Sequence, residues 1–250
     1  MADKTGKFVW FECVTADSAK AQAFYGEVIG WKTQPFPMGE ETYTMLAAGE
    51  TPVGGYTAPE GPLAGAPPHW TSYVLVADVD ATLKKITSAG GKILQPAFDV
   101  PGIGRMSQVA DPQGASFWVM KGEEEDSAPE APAKHGQFHW NELWARDADK
   151  VVPFYEKVLG YKSKAMAMPD GTYHVLEKGG LPRAGIMTAP PDAPSAWLPY
   201  VAVDDCDAAV ERASKNGGSI QVPATDIPNI GRFAVFTDPN GATLAVIKPA

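Results

Sequence analysis

The sequence predicts an α+β fold made of two tandem copies of one module. Segments of the first half return in the same order 127 to 130 residues later, and each copy alternates strand-like and helix-like patterns. A polar stretch separates the copies. The clearest matches are Trp10-Phe11-Glu12 with Trp140-Asn141-Glu142, Phe24-Tyr25 with Phe154-Tyr155, and Asp111-Pro112-Gln113-Gly114 with Asp238-Pro239-Asn240-Gly241.

The first half of each copy reads as a strand, a helix and further strands. Residues 8 to 15 are apolar and aromatic, and Asp17 caps a helix that ends at Gly30. In the second copy Pro153 is tolerable only in a first turn, so we expect that helix to start late, near Asp149. Short strands follow in the first copy at 43 to 48 and 52 to 57.

A second cycle of the same kind completes each copy. It opens with a strand at 70 to 77, after which Asp78 or Asp80 caps a helix that stops at Gly90-Gly91. Strands then follow near 92 to 95, 103 to 110 and 115 to 121, the last two joined by the Asp-Pro-Gln-Gly turn. Each module is therefore predicted to hold two βαβββ units.

The boundary between the modules is predicted from composition. The segment from Gly122 to Lys134 holds a run of acidic residues and two prolines but no large apolar side chain, so it cannot bury a core face. We predict a first module over residues 1–121, an acidic linker over 122–135 and a second module over 136–250.

Charge and cysteine content exclude several classes of function. With 21 basic and 30 acidic residues the formal net charge is −9, which disfavours nucleic acid and anionic membranes as partners. The two cysteines show no metal-ligand spacing, and there is neither a signal-peptide pattern nor an apolar run near 18 residues. We therefore expect a cytoplasmic protein.

The repeated motifs resemble those of the vicinal oxygen chelate superfamily, which includes glyoxalase I, extradiol dioxygenases and the fosfomycin and bleomycin resistance proteins. The resemblance rests on a capping Asp followed by a Phe-Tyr-x-x-Val-(Ile/Leu)-Gly segment, and on the Asp-Pro-x-Gly turn, in both copies. It implies two cupped mixed sheets with helices outside, and a small ligand in the concave face. It also implies paired modules within the chain and, as a further possibility, a homodimer.

The resemblance further implies a divalent metal bound by His, Gln and Glu at three strand positions. In this sequence those positions hold Trp10, about Thr71 and Trp118 in the first module, and Trp140, about Leu198 and Ala245 in the second. None of these offers an imidazole or a carboxylate. We therefore expect no metal and no other cofactor.

Glutamates and tryptophans at these strand positions are the first candidate site residues. Residues two apart on a strand share a face, so Trp10 lies beside Glu12 and Trp140 beside Glu142. A carboxylate in an aromatic cavity can act as a general base or bind a cationic or hydroxyl-bearing ligand, while the indole rings, with Trp118, can stack on it. Pairing of the two glutamates with Arg or backbone amides is the structural alternative.

Three further residues complete the predicted ligand site. His174 lies on a predicted strand from which it could reach the cup, and a metal centre built from scattered His with Glu12 or Glu142 remains a minor alternative. Arg105 and Arg232 occupy equivalent strand starts, where they could clamp an anionic ligand or form ion pairs within the fold.

These observations predict a protein that binds a small organic metabolite in aromatic-lined cups without the usual metal triad. The sequence leaves open whether the protein is an enzyme of the glyoxalase, lyase or dioxygenase type. A metal-dependent lyase or dioxygenase with atypical ligands is one alternative, and a non-catalytic sequestering or structural protein is another.

Overall fold

The structure is a computed structural model that describes residues 4–39, 41–60, 64–123, 131–168, 171–191 and 193–250. Within these residues the chain forms sixteen strands and four helices. The first module contains β1 (Phe8–Val14), α1 (Ser18–Ile29), β2 (Lys32–Met38), β3 (Glu41–Ala48), β4 (Thr51–Thr57), β5 (His69–Leu75), α2 (Val79–Ser88), β6 (Lys92–Val100), β7 (Gly104–Ala110) and β8 (Ser116–Gly122). The second contains β9 (Phe138–Ala145), α3 (Ala148–Leu159), β10 (Lys162–Met168), β11 (Gly171–Lys178), β12 (Leu181–Thr188), β13 (Ala196–Ala202), α4 (Cys206–Lys215), β14 (Ser219–Ile227), β15 (Gly231–Thr237) and β16 (Thr243–Pro249).

The strands form two eight-stranded mixed sheets of identical topology. The first has the order β2-β3-β4-β1-β5-β8-β7-β6, and the second has β10-β11-β12-β9-β13-β16-β15-β14. β1 pairs in parallel with β4, and β5 with β8, whereas the hairpin neighbours are antiparallel. The prediction of an α+β fold with duplicated modules of two βαβββ units is therefore confirmed.

The sequence pattern did not predict the edge strands β2 and β10. β2 contains Pro35 and Pro37, which cannot donate to a ladder, yet it pairs with β3 along its whole length. Its place at the end of the sheet explains the prolines, because an edge strand has one side without a partner strand.

Aspartate caps start all four helices of the described residues. The carboxylates of Asp17, Asp78, Asp147 and Asp205 each accept a hydrogen bond from the backbone N–H three residues later, at 2.8 to 3.1 Å. Asp78, and not Asp80, is therefore the cap of α2. α1 and α3 both end at a glycine in the left-handed conformation, a position where Gly avoids the strain of a side chain.

The expected start of α3 near Asp149 is met within one residue, but Pro153 does not lie in the first turn as expected. The helix begins at Ala148, directly after its Asp147 cap, so Pro153 lies beyond the first turn. Burial of one face of this helix, including Val151, Phe154 and Tyr155, compensates for the backbone hydrogen bond that the proline removes.

The predicted linker over 122–135 falls largely on residues 124–130, which lie outside the described part of the chain. The predicted module borders stay a prediction. The chain divides into two compact units: unit I comprises Met1–Val9, Ser72–Glu130 and Trp140–Trp197, and unit II comprises Trp10–Thr71, Ala131–His139 and Leu198–Ala250. Each unit thus combines part of one sequence repeat with part of the other.

The core of unit I is organised around Tyr155, which is fully buried. Its hydroxyl donates to Oδ2 of Asp111 at 3.0 Å and accepts from Nε1 of Trp197 at 3.2 Å. Burial raises the pKa of Asp111, and hydrogen bonds from backbone amides and from Tyr155 oppose that rise. Gly91 allows the close packing here, because a Cβ there would lie 2.8 Å from the ring of Phe154.

Tyr25 has the equivalent place in unit II and is also fully buried. Its hydroxyl accepts from Nε1 of Trp70 at 2.8 Å, and its ring lies near those of Phe24, Trp31 and Trp70. The equivalent acid here is Asp238, whose Oδ1 accepts from three backbone amides of its own turn, while its buried Oδ2 has no hydrogen bond from any described residue.

The repeated sequence motifs contact each other within each unit. In unit I the side chain of Gln113 donates to the backbone oxygen of Asp147 at 2.7 Å and accepts from its backbone N–H at 2.9 Å. In unit II the side chain of Asn240 donates to the backbone oxygen of Asp17 at 2.8 Å. The Asp-Pro-x-Gly turn of one repeat therefore holds the helix start of the other repeat.

None of the helices in the described ranges combines the length and apolarity that a membrane span requires.

We predict that Tyr155→Phe destabilises the protein more than Tyr25→Phe. The first change removes a donor from Asp111 and an acceptor from Trp197, at a cost of about 2–4 kcal/mol, whereas the second removes only the acceptor of Trp70, at about 1–2 kcal/mol. Urea unfolding of the two variants measures both losses. Equal losses would show that the Tyr155–Asp111 bond contributes nothing.

Candidate functional site

The first cluster of predicted site residues, cluster 1, consists of Trp10, Glu12 and Tyr43. Trp10 and Glu12 lie on one face of β1, while their neighbours Phe11 and Cys13 are buried on the other. Nε1 of Trp10 donates to the Tyr43 hydroxyl at 3.1 Å, and that hydroxyl donates to Oε1 of Glu12 at 2.7 Å. The tyrosine of β3 thus joins the indole and the carboxylate in one hydrogen-bonded chain.

Cluster 2 repeats this arrangement with Trp140, Glu142, Tyr173 and a fourth member, Trp144. Nε1 of Trp140 donates to the Tyr173 hydroxyl at 2.9 Å, and the hydroxyl donates to Oε2 of Glu142 at 2.9 Å. Nε1 of Trp144 donates to Oε1 of Glu142 at 2.8 Å. Both oxygens of Glu142 therefore accept a hydrogen bond from an aromatic side chain of the cluster.

A glycine on the neighbouring strand makes room for each tyrosine. A Cβ at Gly55 in β4 would overlap the hydroxyl of Tyr43, and a Cβ at Gly185 in β12 would overlap that of Tyr173. Any larger residue at these two positions would displace the tyrosine hydroxyl from the glutamate. The glycines are thus part of the geometry of each cluster.

The two tyrosines act as neutral hydrogen-bond donors. Burial and the carboxylate of Glu12 raise the pKa of Tyr43 well above its ordinary value, and burial with Glu142 does the same for the pKa of Tyr173. Both hydroxyls therefore keep their protons at physiological pH. Each tyrosine therefore donates a hydrogen bond to its glutamate without neutralising the charge of the carboxylate.

Trp118 lies in a third aromatic group, with Tyr73 and Phe98 in unit I. Its ring stacks on Tyr73 at a centroid distance of 5.1 Å with planes 6° apart, and Phe98 meets it edge-on. The side chain is buried, and its Nε1 has no hydrogen-bond acceptor among the described residues. An indole N–H donates only, so Trp118 can stack on or donate to a ligand but cannot bind a metal.

His174 lies on the face of β11 opposite to Tyr173, so the structure does not bring it into cluster 2. It is buried, its Nε2 is 2.8 Å from Oδ1 of Asp149, and its Nδ1 is 3.0 Å from Oγ of Ser163. These contacts tie β11 to the start of α3 and to β10. They are the contacts of a residue that stabilises the fold.

Arg105 and Arg232 form equivalent ion pairs at the surface. Nε of Arg105 is 2.9 Å from Asp80 and its Nη1 is 2.8 Å from Asp99, whereas Arg232 binds Asp207 at 2.7 Å and Asp226 at 3.1 Å. An anionic ligand would have to displace these carboxylates. The structural alternative considered for both arginines thus has direct support, and their ligand role stays a prediction.

The residues at the metal-binding positions do not fit a divalent cation. Trp10 and Trp140 use their only polar atom as donors to tyrosine, and Trp118 likewise has only an N–H. Throughout the described ranges, no group of three or more His, Cys, Asp or Glu is placed to hold a metal ion.

Sequence reasoning missed the two tyrosines and the two glycines that complete the clusters. A signal for them existed: Tyr43 and Tyr173 are separated by the same 130 residues as Trp10 and Trp140. Gly55 and Gly185 have that spacing too. The repeat, applied to every position, would have selected all four.

Family profiles and solved structures of known proteins match this chain. The family profile of the Glyoxalase/Bleomycin resistance protein/Dioxygenase superfamily matches residues 137–246, and that of the bleomycin resistance protein-like N-terminal region matches residues 7–49. Among solved structures, the Mn(II)-bound glyoxalase from Novosphingobium aromaticivorans superposes with a TM-score of 0.67 at 18% identity, covering 99% of this chain and 83% of that one.

Two relatives are similar over almost the whole length. "Putative glyoxylase CFP32" of Mycobacterium tuberculosis (strain CDC 1551 / Oshkosh) is 37% identical over 246 residues, covering 96% of this chain and 94% of that protein. "Anthracycline biosynthesis protein DnrV" of Streptomyces peucetius is 33% identical over 266 residues, covering 97% and 93%. The chain therefore belongs to the glyoxalase/bleomycin resistance protein/dioxygenase superfamily, the vicinal oxygen chelate superfamily.

Proposed function

We propose that this protein binds a small planar organic molecule against the indole rings of clusters 1 and 2, without the metal triad of its superfamily. The observation that carries the proposal is the hydrogen-bonded Trp–Tyr–Glu arrangement, which occupies the metal-ligand strand in both modules. Fixed indole rings beside a carboxylate suit a flat ring that carries a polar donor.

Each side chain has a separate task in this proposal. Trp10 and Trp140 offer a half-buried ring face for stacking, and Glu12 offers a half-buried carboxylate that accepts a hydrogen bond from an amine or hydroxyl of the ligand. Tyr43 and Tyr173 hold the carboxylates in place. If the ligand is transformed, the same carboxylate is the group placed to take a proton from it.

The names of the relatives agree with a small-molecule ligand. One is described as a glyoxylase and one as an anthracycline biosynthesis protein. We favour a planar aromatic ligand because the clusters provide aromatic surface. A glyoxalase-type lyase is the second candidate, supported by the name of the 37% identical relative; in this chain it would require metal ligands other than Trp10, Thr71 and Trp118.

Intramolecular pairing of the modules and a cytoplasmic location complete the proposal. The contacts of Gln113 with Asp147 and of Asn240 with Asp17 link the two repeats and support the pairing. Cys13 and Cys206 are buried free thiols, as expected in a reducing compartment. A non-catalytic sequestering role needs no residue beyond those already named.

We predict that Trp10→Ala weakens the binding of an anthraquinone probe by at least about tenfold, equivalent to about 1.4 kcal/mol, because stacking on the indole is lost. Isothermal titration calorimetry with soluble anthraquinones measures the change. Ile93→Ala, at an exposed position of β6, is the control and should bind as the unchanged protein does. Equal affinity of all three proteins would refute the stacking role of Trp10.

We also predict that protein purified without added metal carries well under one equivalent of Zn, Ni, Fe or Mn after dialysis, because the strand positions of the metal triad hold no suitable donor. Elemental analysis measures the content, and probe affinity should be the same with and without a chelator. A stoichiometric metal, or loss of binding on chelation, would contradict the metal-independent site.

A further inference from the structure

A cavity in unit I lies between the start of α2 and the end of α3. Its volume is about 190 Å³, which equals the liquid volume of about six water molecules at about 30 Å³ each. It shares no residue with cluster 2, which belongs to the same unit. The lining residues that bear on its chemistry are Thr5, Asp78, Lys85, Val158, Leu159 and Lys178.

The sequence repeat gives each of these residues a counterpart in unit II. Thr5 corresponds to His135, because each comes directly before a glycine whose N–H donates to a β-strand carbonyl at 2.8 Å. Lys85 corresponds to Arg212, because each is the seventh residue of its helix, α2 or α4. The place of the cavity in unit I can therefore be compared with the same place in unit II.

In unit II an imidazole and a guanidinium bind at this place. Nε2 of His135 lies 2.8 Å from the backbone oxygen of Ile29, and its Nδ1 accepts from the backbone N–H of Asp204 at 3.1 Å. Nε and Nη2 of Arg212 donate to the backbone oxygen of Val28 at 3.1 and 2.8 Å. The last carbonyls of a helix have no partner within it, so both side chains stabilise the end of α1.

The partners of His135 define its tautomer. Nε2 faces a carbonyl and therefore carries the proton, whereas Nδ1 faces a backbone N–H and therefore accepts. Unit II thus binds a neutral imidazole ring between one acceptor and one donor of the backbone.

In unit I the corresponding positions hold smaller or differently shaped groups. Thr5 has no ring, and Lys85 has no planar guanidinium. Val158 and Leu159 are the counterparts of Val28 and Ile29 at the end of a helix, and Nζ of Lys178 donates to the backbone oxygen of Leu159 at 2.8 Å. The place that the two planar groups take in unit II therefore corresponds to the cavity of unit I.

The charges around the cavity decide which of the two planar groups would fit. Two ammonium groups, of Lys85 and Lys178, line it together with one carboxylate, that of Asp78. Lys178 already offers a positive charge to the negative end of the α3 dipole. A further cation would be repelled, so a neutral ring is favoured over a guanidinium.

We propose that the cavity of unit I binds a small neutral imidazole compound. The ring N–H points to the last carbonyls of α3, and the second ring nitrogen points to the backbone N–H of Ala77, which corresponds to Asp204 and also lines the cavity. His135 shows within the same chain which ligand chemistry this place accepts. The inference is independent of clusters 1 and 2 and of the ligand proposed for them.

The first experiment titrates the isotope-labelled full chain with imidazole, at a pH at which the ring is neutral, and follows the backbone amides by NMR. We expect saturable shifts at Ala77 and Gly160. N-methylimidazole, which has no N–H, should bind at least about fivefold more weakly, because the carbonyls of α3 then receive no donor. Shifts confined to other parts of the chain, no saturable shift, or equal affinity for the two probes would overturn the inference.

The second experiment uses variants that exchange the residues of the two units. Thr5→His supplies a ring from the chain itself and should weaken imidazole binding at least about tenfold, whereas the control Thr5→Ser should bind as the unchanged protein does. The reciprocal His135→Thr should lower the melting temperature, and imidazole, but not N-methylimidazole, should restore part of it. Unweakened binding by Thr5→His, or no rescue of His135→Thr, would contradict the proposal. If Thr5→His does not fold, the titration of the unchanged protein still decides.

Discussion

The alternation of side chains along the first strand of each module is the constraint on which the rest of the site depends. In β1 it sends Phe11 and Cys13 into the core and leaves Trp10 and Glu12 together on the opposite face. A shift by one residue would bury the carboxylate in the apolar core and expose the phenylalanine, so the strand register is strongly determined. The same fixed face then selects the tyrosine and the glycine on the neighbouring strands.

Both repeats keep this alternation of side chains, but they differ in a residue beside the glutamate. The two clusters share the tryptophan, the tyrosine and the glutamate, and each tyrosine is accommodated by a glycine. They differ where Val14 in one module corresponds to Trp144 in the other. The indole of Trp144 donates to Glu142, whereas the side chain of Val14 has no donor.

Much of the fold could be predicted because the repeat, the aspartate caps and the glycine stops are local signals. Asp17 and Gly30 bound α1 as the sequence indicates. The proline-containing strand β2 was missed because its pairing depends on its place at the sheet edge, which no local pattern reports. The position of Pro153 within α3 was misjudged for a related reason: burial of the apolar face of the helix outweighs the cost of the proline.

The candidate site could be predicted only in part for the same reason. Trp10 and Glu12 are two residues apart on one strand, so their shared face follows from the sequence. Tyr43 reaches them from another strand, and only the fold brings its hydroxyl to 2.7 Å from the carboxylate. The opposite case is His174, which its strand position made a candidate and which contacts Asp149 at the start of α3. The face of the strand to which a side chain points separates Tyr43, which reaches the cluster, from His174, which does not.

In the function that we propose, hydrogen-bonded Trp–Tyr–Glu clusters take the place of the superfamily's metal centre as the ligand-binding element. The most direct measurement is a crystal structure of the protein soaked with an aminomethyl anthraquinone, without chelator. We expect electron density for the ring against the indole of Trp10, with the amine within hydrogen-bond distance of Glu12 and no metal ion beside either. A metal ion coordinated at that place, or probe density only at sites remote from both clusters, would contradict it.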